Sequence, residues 1–472
     1  MWTLSLKSRL CRMSLDRTHG YAKHPPLPKS VKIDPKIRPA DLARKISRLW
    51  ELSAQKIRAI ERNYDSTKGS PVFTVRGTYT SRGWTEWTQG FQIGAALLQF
   101  DATDETEFLE LGRRQTLQLM APRVSHSGVH DHGFNNISTY GNLRRLMAEG
   151  RIHDNEWERH FYELALKLSG ATQARRWTPL PDSGGFIYSF NGPHSLFADT
   201  IRSLRVLGVA YQLGHALMGE NDRRISLLDR LKAHATATAN YCIYYGDGRD
   251  AYDVRGRTAH EAIFNINDGH FRCPNTQQGY SPFSTWTRGL AWAMCGFAEQ
   301  LEFMRAIGDD SITALLVKAA RATCDFYIDS ATAIDGIPYW DTGAPQLHRL
   351  GDWPSRPADP FNAHEPVDSS AAAIAAQGLL RLGRYLKNKR YWSAGLTVLN
   401  TLLDEPYLST DPRHQGLILH SVYHRPDGWD HVPRGRKIPC GESSMWGDYH
   451  AREAALYVQR AANGRTGPDF FL

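Results

Sequence analysis

Apolar residues return at helical spacing along almost the whole chain, and long loops rich in Gly, Pro, Trp and His separate them. Leu42, Ile46, Leu49/Trp50, Ala54, Ile57 and Ile60 form one such face, with Asp41 placed to cap the helix. Trp157, Phe161, Leu164 and Leu168, ending at Gly170, form another. Further faces are Phe197/Ile201/Leu204/Gly208/Tyr211, Leu290/Met294/Phe297/Leu301, Leu316/Ala320/Cys324/Tyr327, Ile374/Gly378/Leu382 and Leu396/Leu399/Leu403. Strand alternation is scarce. The unit of helix, short link, helix and long loop recurs at roughly 50–60 residues, without a fixed-length sequence repeat. That pattern predicts a ring of helical hairpins with the long loops, such as residues 246–282 and 336–368, gathered at one end, where chemistry usually sits.

With 472 residues, 41% hydrophobic and 22% charged, the chain has ample material for a core and the composition of a soluble globular protein. The net charge of +8 invites a nucleic-acid reading until it is located. Residues 1–48 hold twelve Lys or Arg against three Asp, a net +9, so the remainder is close to neutral at −1. A basic, Pro-rich N-terminal extension (residues 1–40, with Pro25, Pro26, Pro28, Pro35 and Pro39) precedes a single domain over 41–472, and the extension reads as a solvated tail. No nucleic-acid partner is expected. No apolar run approaches bilayer length, so no membrane partner is expected either. Lys7 and Arg9 interrupt the first twelve residues and no small-residue cleavage site follows, which predicts a cytoplasmic protein. The six cysteines are scattered without a Cys-x-x-Cys pair and read as free thiols.

No Gly-rich phosphate cradle, His-Glu-x-x-His helix or Gly-x-Ser-x-Gly elbow occurs, and the Asp and His spacing supports no metal site. Neither a cofactor nor a metal is expected. Residues 284–292 concentrate Trp286, Arg288 and Trp292 at the start of the Leu290 helix, with Arg288 and Trp292 off the centre of its apolar face. They read either as a pocket mouth or as a helix start with core aromatics. Two carboxylates stand out: Asp131 in His130-Asp131-His132-Gly133-Phe134, and Asp199 at the start of an apolar-faced helix. A carboxyl in apolar surroundings beside a second one can hold a proton near neutral pH for general acid catalysis. The competing readings are an N-terminal helix acid paired with Arg202 for Asp199 and an Asx-turn beside Gly133 for Asp131. His260 and Gln278 precede residues 284–292 at lengths that suit one continuous loop.

Seven ordered blocks, together with Asp199 at its helix start, resemble glycoside hydrolase family 88, the unsaturated glucuronyl hydrolases, from about Trp84 to the C-terminal helix. They are Trp84-Thr85-Glu86-Trp87-Thr88-Gln89-Gly90-Phe91, the His130–Phe134 block, Gln278-Gly279-Tyr280, and Ser284-Thr285-Trp286-Thr287-Arg288-Gly289. Pro338-Tyr339-Trp340-Asp341, residues 368–376 and Glu442-Ser443-Ser444-Met445-Trp446-Gly447-Asp448-Tyr449 complete the set. The resemblance implies an all-α (α/α)6 barrel with its site in a pocket at one end. It also implies a substrate: the 4,5-unsaturated uronic acid that polysaccharide lyases leave at the non-reducing end of an oligosaccharide. In that family an Asp protonates C4 of the vinyl ether, water adds at C5, and the resulting hemiketal opens to release the glycosidic bond.

Carried over by resemblance, Asp199 is the catalytic acid/base and Asp131 the second aspartate. His130, His260, Gln278, Arg288 and Trp292 are pocket residues, Trp87 and Trp286 aromatic walls, and Ser443, Ser444 and Trp446 part of a closing loop. Arg288 is expected to fork onto a pair of substrate oxygens. The chain departs from the family at His132, usually aliphatic, at Arg202 and Arg205, usually apolar, and at Phe190, often Trp. It also departs in the long loop between Asp341 and Asp368, with His348, Arg349, Trp353, Arg356 and His364. An unsaturated rhamnogalacturonyl hydrolase on the same barrel and a non-catalytic carbohydrate-binding protein stand as alternatives. The parent polysaccharide and the oligomeric state are left open.

Overall fold

The structure, a computed structural model, describes residues 31–82, 86–182 and 184–471; the basic segment 1–30, Cys11, Trp84 and Thr85 lie outside the described residues. Among the described residues twelve helices of seven residues or more alternate along the chain. They are α1 (Ala43–Asn63), α2 (Gln89–Thr103), α3 (Thr106–Leu119), α4 (Asn142–Ala148), α5 (Glu156–Arg175) and α6 (Arg205–Gln212). After these come α7 (Leu227–Tyr241), α8 (Thr287–Ile307), α9 (Thr313–Phe326), α10 (Ser369–Tyr385), α11 (Lys389–Leu402) and α12 (Met445–Ala462).

The even-numbered helices are buried almost all round. In α8, Leu290, Met294, Phe297 and Leu301 are buried, and so are Ala291, Ala293, Cys295 and Ala298 between them. A helix apolar on every side belongs inside a ring of other helices. The inner neighbours pack in sequence, α8 on α10, α10 on α12, and α12 back onto α2, which closes the ring. The odd-numbered helices lie outside it, each with one buried face. This is an (α/α)6 barrel. Small side chains let the inner helices approach: a Cβ on Gly378 of α10 would sit 2.8 Å from the Cys295 backbone nitrogen of α8. Two inner helices are assembled from pieces. His132–Asn135 and a π-helical turn, Ile137–Gly141, lead into α4, and Thr200–Ser203 leads into α6.

Arg202 and Arg205 fit an otherwise apolar barrel because acids from distant inner helices meet them there. Arg202 binds Glu299 of α8 at 2.7 Å and Glu453 of α12 at 2.9 Å, Arg205 reaches both at 3.5 Å, and Arg381 of α10 joins through Glu299 and Glu302. Such buried pairs add little net stability over apolar packing, but removing one partner typically costs about 3–5 kcal/mol, so they hold the inner helices in register.

Three local expectations are corrected. Asp41 does not cap α1; it sits in a 3-10 turn, Pro39–Leu42, where its carboxylate takes the Arg38 backbone N–H at 2.9 Å and the Arg38 guanidinium at 2.9 Å. The face of Trp157, Phe161, Leu164 and Leu168 is exposed, and α5 buries the opposite one, Tyr162, Ala165, Leu166, Ser169 and Gly170. The 197–211 helix is broken: Ser195–Phe197 is a strand, and helix resumes at Thr200 and again at Arg205. The five described cysteines, Cys242, Cys273, Cys295, Cys324 and Cys440, are free thiols. Among the described residues no helix is long and apolar enough to cross a membrane.

Candidate active site

Every inner helix begins at the same end of the barrel. Trp87 precedes α2, Asp131 the leading piece of α4, Asp199 the leading piece of α6, Trp286 α8, Asp368 α10 and Ser444 α12. Each helix N-terminus carries roughly half a positive charge, so six of them converging make this end receptive to anions.

Asp199 and Asp131 reach the pocket through two interlocked helix starts. The strand Ser195–Phe197 pairs with Glu261–Phe264, and the Ala198 N–H donates to the His260 carbonyl at 2.9 Å, fixing the turn into Thr200. Asp199 and Asp131 both stand at N-cap positions, yet neither carboxylate caps its helix, which leaves both for other work. Arg202 is taken by Glu299 and Glu453, so the Asp199–Arg202 pairing does not form. Gly133 explains the closeness of the two segments: a Cβ there would lie 2.1 Å from the Ser203 carbonyl oxygen, and its N–H donates to Ser203 Oγ at 2.8 Å. From α5, Gln173 donates to the His130 carbonyl at 2.8 Å. Arg176 spans the Ser127, Tyr188 and Ser189 carbonyls, tying the Asp131 loop to the segment that carries Phe190.

His130 joins the two acids. Its Nε2 lies 3.2 Å from Asp199 Oδ1 and 3.7 Å from Asp131 Oδ1, between the rings of Phe190 and Phe197. Burial, reinforced by the nearby Asp199 charge and only partly offset by His130, pushes the Asp131 carboxyl up to about 6. Burial acts to raise Asp199 too, but the His130 hydrogen bond and charge, with Arg288 beyond, outweigh it, and Asp199 ends below its ordinary value. His130 is raised: the two carboxylates overcome its burial. Of the two acids, Asp131 therefore keeps its proton to the higher pH.

A cavity of about 980 Å³ opens over this cluster, a size suited to a short oligosaccharide. Trp87, Phe134, Phe190, Trp286 and Trp292 supply aromatic walls, and Gln278 and Arg288 line it as well. Arg288 is not poised as a free fork. One Nη donates to Asp368 (3.1 Å) and to the Val422 carbonyl, and the other to Gln278 Oε1 (2.8 Å) and the Tyr423 carbonyl (2.7 Å). The guanidinium lies over both Trp286 and Trp446, at 4.5 and 4.8 Å from their ring centres. It holds the wall together.

His260 is buried just behind the lining, stacked on Phe197 and Trp286. Its Nδ1 accepts the Gln277 and Gln278 backbone N–H groups at 3.0 and 3.3 Å, which leaves the proton on Nε2, an atom with no hydrogen-bond partner among the described residues. Burial brings this imidazole down to about 4, so it is neutral.

Ser443, Ser444 and Trp446 are not among the lining residues. Ser443 Oγ donates toward Ile418 O and Asp448 Oδ1, both 2.7 Å away, Ser444 caps α12, and Trp446 donates to Ser370 Oγ at 2.9 Å while stacking beneath Trp87. They support the pocket from behind. The long 341–368 loop does not line it either; Trp353 packs on Tyr339, and Arg356 donates to the Leu350 carbonyl. His132 faces away, bonded to Ser169 Oγ and the His126 carbonyl at 2.9 Å each. Lining residues absent from the sequence reading include Arg82, Arg123, His126, Tyr423, His424, Asp427 and Trp429. All but Arg123, which sits in the short helical turn Ala121–Val124, lie in loops without periodicity, although the aromatic and His content around Tyr423 and Trp429 was a usable signal.

No family model matches the chain. It is 26% identical over 371 residues to an unsaturated glucuronyl hydrolase of Formosa agariphila, covering 78% of this chain and 79% of that one. It is also 26% identical over 394 residues to the unsaturated glucuronyl hydrolase of Bacillus sp. strain GL1, covering 80% and 88%. Over most of its length the chain is therefore similar to the unsaturated glucuronyl hydrolases of glycoside hydrolase family 88. Among solved structures, the unsaturated glucuronyl hydrolase of Streptococcus agalactiae superposes with a TM-score of 0.68 at 20% identity, over 94% of this chain and 99% of that one. The twelve-helix ring therefore has the fold of that enzyme, with Arg202 and Arg205 accommodated by Glu299 and Glu453.

Proposed function

We propose that this chain is a glycoside hydrolase that removes the 4,5-unsaturated uronic acid from the non-reducing end of lyase-generated oligosaccharides. The observation that carries the reading is the trio of His130, Asp131 and Asp199, two carboxylates within reach of one imidazole nitrogen at the helix-start end of the barrel. The uronate carboxylate suits that end electrostatically, and the indole and phenyl walls suit the flat faces of a sugar ring.

Asp199 is the proposed acid and base. It delivers a proton to C4 of the vinyl ether, then takes one back from the water that adds at C5, so no net proton is consumed. The hemiketal at C5 opens and the glycosidic bond is released. Binding the anionic uronate raises the proton affinity of Asp199, and His130, hydrogen-bonded to it, is the adjacent proton store. Asp131 and the Nε2–H of His260 are the proposed holders of sugar oxygens, with Gln278, whose backbone N–H meets His260, beside them. The proposed compartment is the cytoplasm, where the free cysteines would stay reduced.

The test is incubation with unsaturated disaccharides made by lyases from several polysaccharides, following loss of the ultraviolet absorbance of the C4=C5 bond. Loss is expected with glucuronate-derived products. Binding without loss across all of them would overturn the reading in favour of a non-catalytic carbohydrate-binding protein, and loss confined to pectin-derived products would favour a rhamnogalacturonyl specificity.

A further inference from the structure

Glu261 places a carboxylate in the interior next to His260, with 1% of the residue exposed. It lies on the middle strand of the sheet formed by Ser195–Phe197, Glu261–Phe264 and Phe271–Asn275. Directly across from it stand Phe197 on one side and Asn275 on the other, so the three side chains share a face of the sheet, and Ser195 lies one pleat further along. Three uncharged donors meet the carboxylate there. Ser195 Oγ and Asn191 Nδ2 (3.1 Å) donate to Oε1, and Asn275 Nδ2 (2.6 Å) donates to Oε2. Taking a carboxylate out of water carries a large desolvation penalty, and an apolar side chain would pack beside Phe197 without it. The use of the charge lies in what its two oxygens hold.

They hold two separate stretches of the pocket wall. Oε1 ties down the 189–195 turn, whose Phe190 ring lies against His130 at 5.8 Å between ring centres and edge-on to Phe197 at 5.3 Å. Arg176 grips the near side of that turn at the Tyr188 and Ser189 carbonyls, and Glu261 grips the far side at Asn191 and Ser195. Oε2 ties down Asn275, where the third strand ends and the chain runs on into Gln277 and Gln278, both of which line the cavity. His260, the preceding residue, accepts the backbone N–H groups of those same two glutamines. One carboxylate thus bridges the ring that lies against His130, the partner of Asp199, and the loop that carries Gln278.

We propose that Glu261 is a positioning residue for the reaction: its carboxylate clamps the Phe190 turn to the Gln277–Gln278 loop and so fixes the sugar between them relative to Asp199. It touches no substrate. Its effect passes through Phe190 to His130 and through Asn275 to Gln278, and it reaches the rate because a near-attack geometry is lost with small shifts of the groups that define it. The inference rests on the hydrolase reading, and its test keeps the two apart.

With an unsaturated disaccharide as substrate, Glu261→Gln is expected to lower kcat by at least about tenfold while KM stays within about threefold, since a misplacement of about 1 Å can cost on the order of a hundredfold in rate. Glutamine keeps the size of the side chain but turns a donor toward one of the two asparagines. Pairing Glu261→Gln with Asn191→Asp gives that donor an acceptor, and kcat is expected to return to within about threefold of wild type. A side chain that only stabilises the sheet would move the thermal midpoint and leave kcat of the folded chain unchanged. That outcome overturns the proposal, as does a double variant no faster than Glu261→Gln alone. Should Glu261→Gln not fold, Asn191→Ala and Asn275→Ala release the two stretches one at a time, and an unchanged kcat in both overturns it equally. A wild-type chain that turns over no unsaturated disaccharide removes the hydrolase reading instead. Crystal structures of wild type and Glu261→Gln then decide the clamp by themselves, and Phe190 and Gln278 in the same places in both would overturn it.

Discussion

Nε2 of His130 lies 3.2 Å from Oδ1 of Asp199, and no other side chain in the described structure hydrogen-bonds to that carboxylate. The bond pulls Asp199 toward its ionised form and raises His130, so the two act as a unit. Asp199→Asn is expected to lower turnover of an unsaturated disaccharide by at least about a thousandfold, since the acid step has no substitute. The KM, where measurable, and the thermal midpoint should change little. A variant keeping a tenth of the activity would remove Asp199 from the acid role.

Asp131 makes a separate, signed prediction. Its folded-state value is about 6 against an ordinary 3.8, so between those pH values the folded chain binds a proton that the unfolded chain does not. Stability therefore falls as pH rises through this window and levels off above it. Asp131→Asn removes that loss. Urea denaturation should find the variant more stable than wild type above pH 6 by on the order of 2 kcal/mol, with the difference shrinking toward pH 4. A gap that does not vary with pH would show that Asp131 is not held protonated.

Arg288 distinguishes a wall brace from a substrate hand. Its Nη atoms hold Asp368, Gln278 and the 422–423 backbone, so Arg288→Met leaves the buried Asp368 without its cation and is expected to cost about 3–5 kcal/mol of stability. Arg288→Lys should recover part of it but not the fork to Gln278 and Tyr423. If the guanidinium instead serves the substrate directly, denaturation midpoints will stay put and only KM will rise.

Five buried imidazoles predict how the fold fails in acid. Burial lowers His132, His260 and His420 to about 4 and His234 and His450 to about 3. Each takes up a proton near pH 6.5 only when unfolded, so stability falls as pH drops from 6.5 toward 4, by up to about 3 kcal/mol for each group. Asp131, Asp335 and Asp341, each pushed up to about 6, work the other way below that pH, so the five imidazoles against these three carboxyls predict a net fall in stability between pH 6.5 and pH 4, readable as a falling urea midpoint. A urea midpoint that does not fall over that range would contradict it.

The helical ring was legible because inner helices such as α8 and α10 bury long apolar runs, and period alone exposes those. Which side of a helix faces inward was not. In α5 the larger side chains, Trp157 and Phe161, point out, and the smaller Ala165, Ser169 and Gly170 point in, because the barrel wall there is close-packed: a Cβ on Gly170 would lie 2.6 Å from that of Ala210. Asp131 and Asp199 could be picked out as acids, but their shared imidazole depends on the Gly133–Ser203 contact, between segments some seventy residues apart. The charges of Arg202 and Arg205 looked foreign for the same reason, since Glu299 and Glu453 come from other inner helices. Tyr423 and Trp429 sit in a loop with no period to read, and nothing local ties them to Trp87.

The pocket draws residues from Ser81 to Trp429, and the ring that holds them shuts only where α12 meets α2. Catalytic competence therefore arrives all at once and late in folding. A chain still lacking α12 leaves the inner sides of α2 and α10 bare, so its half-made barrel is the species most prone to aggregation and most in need of a chaperone.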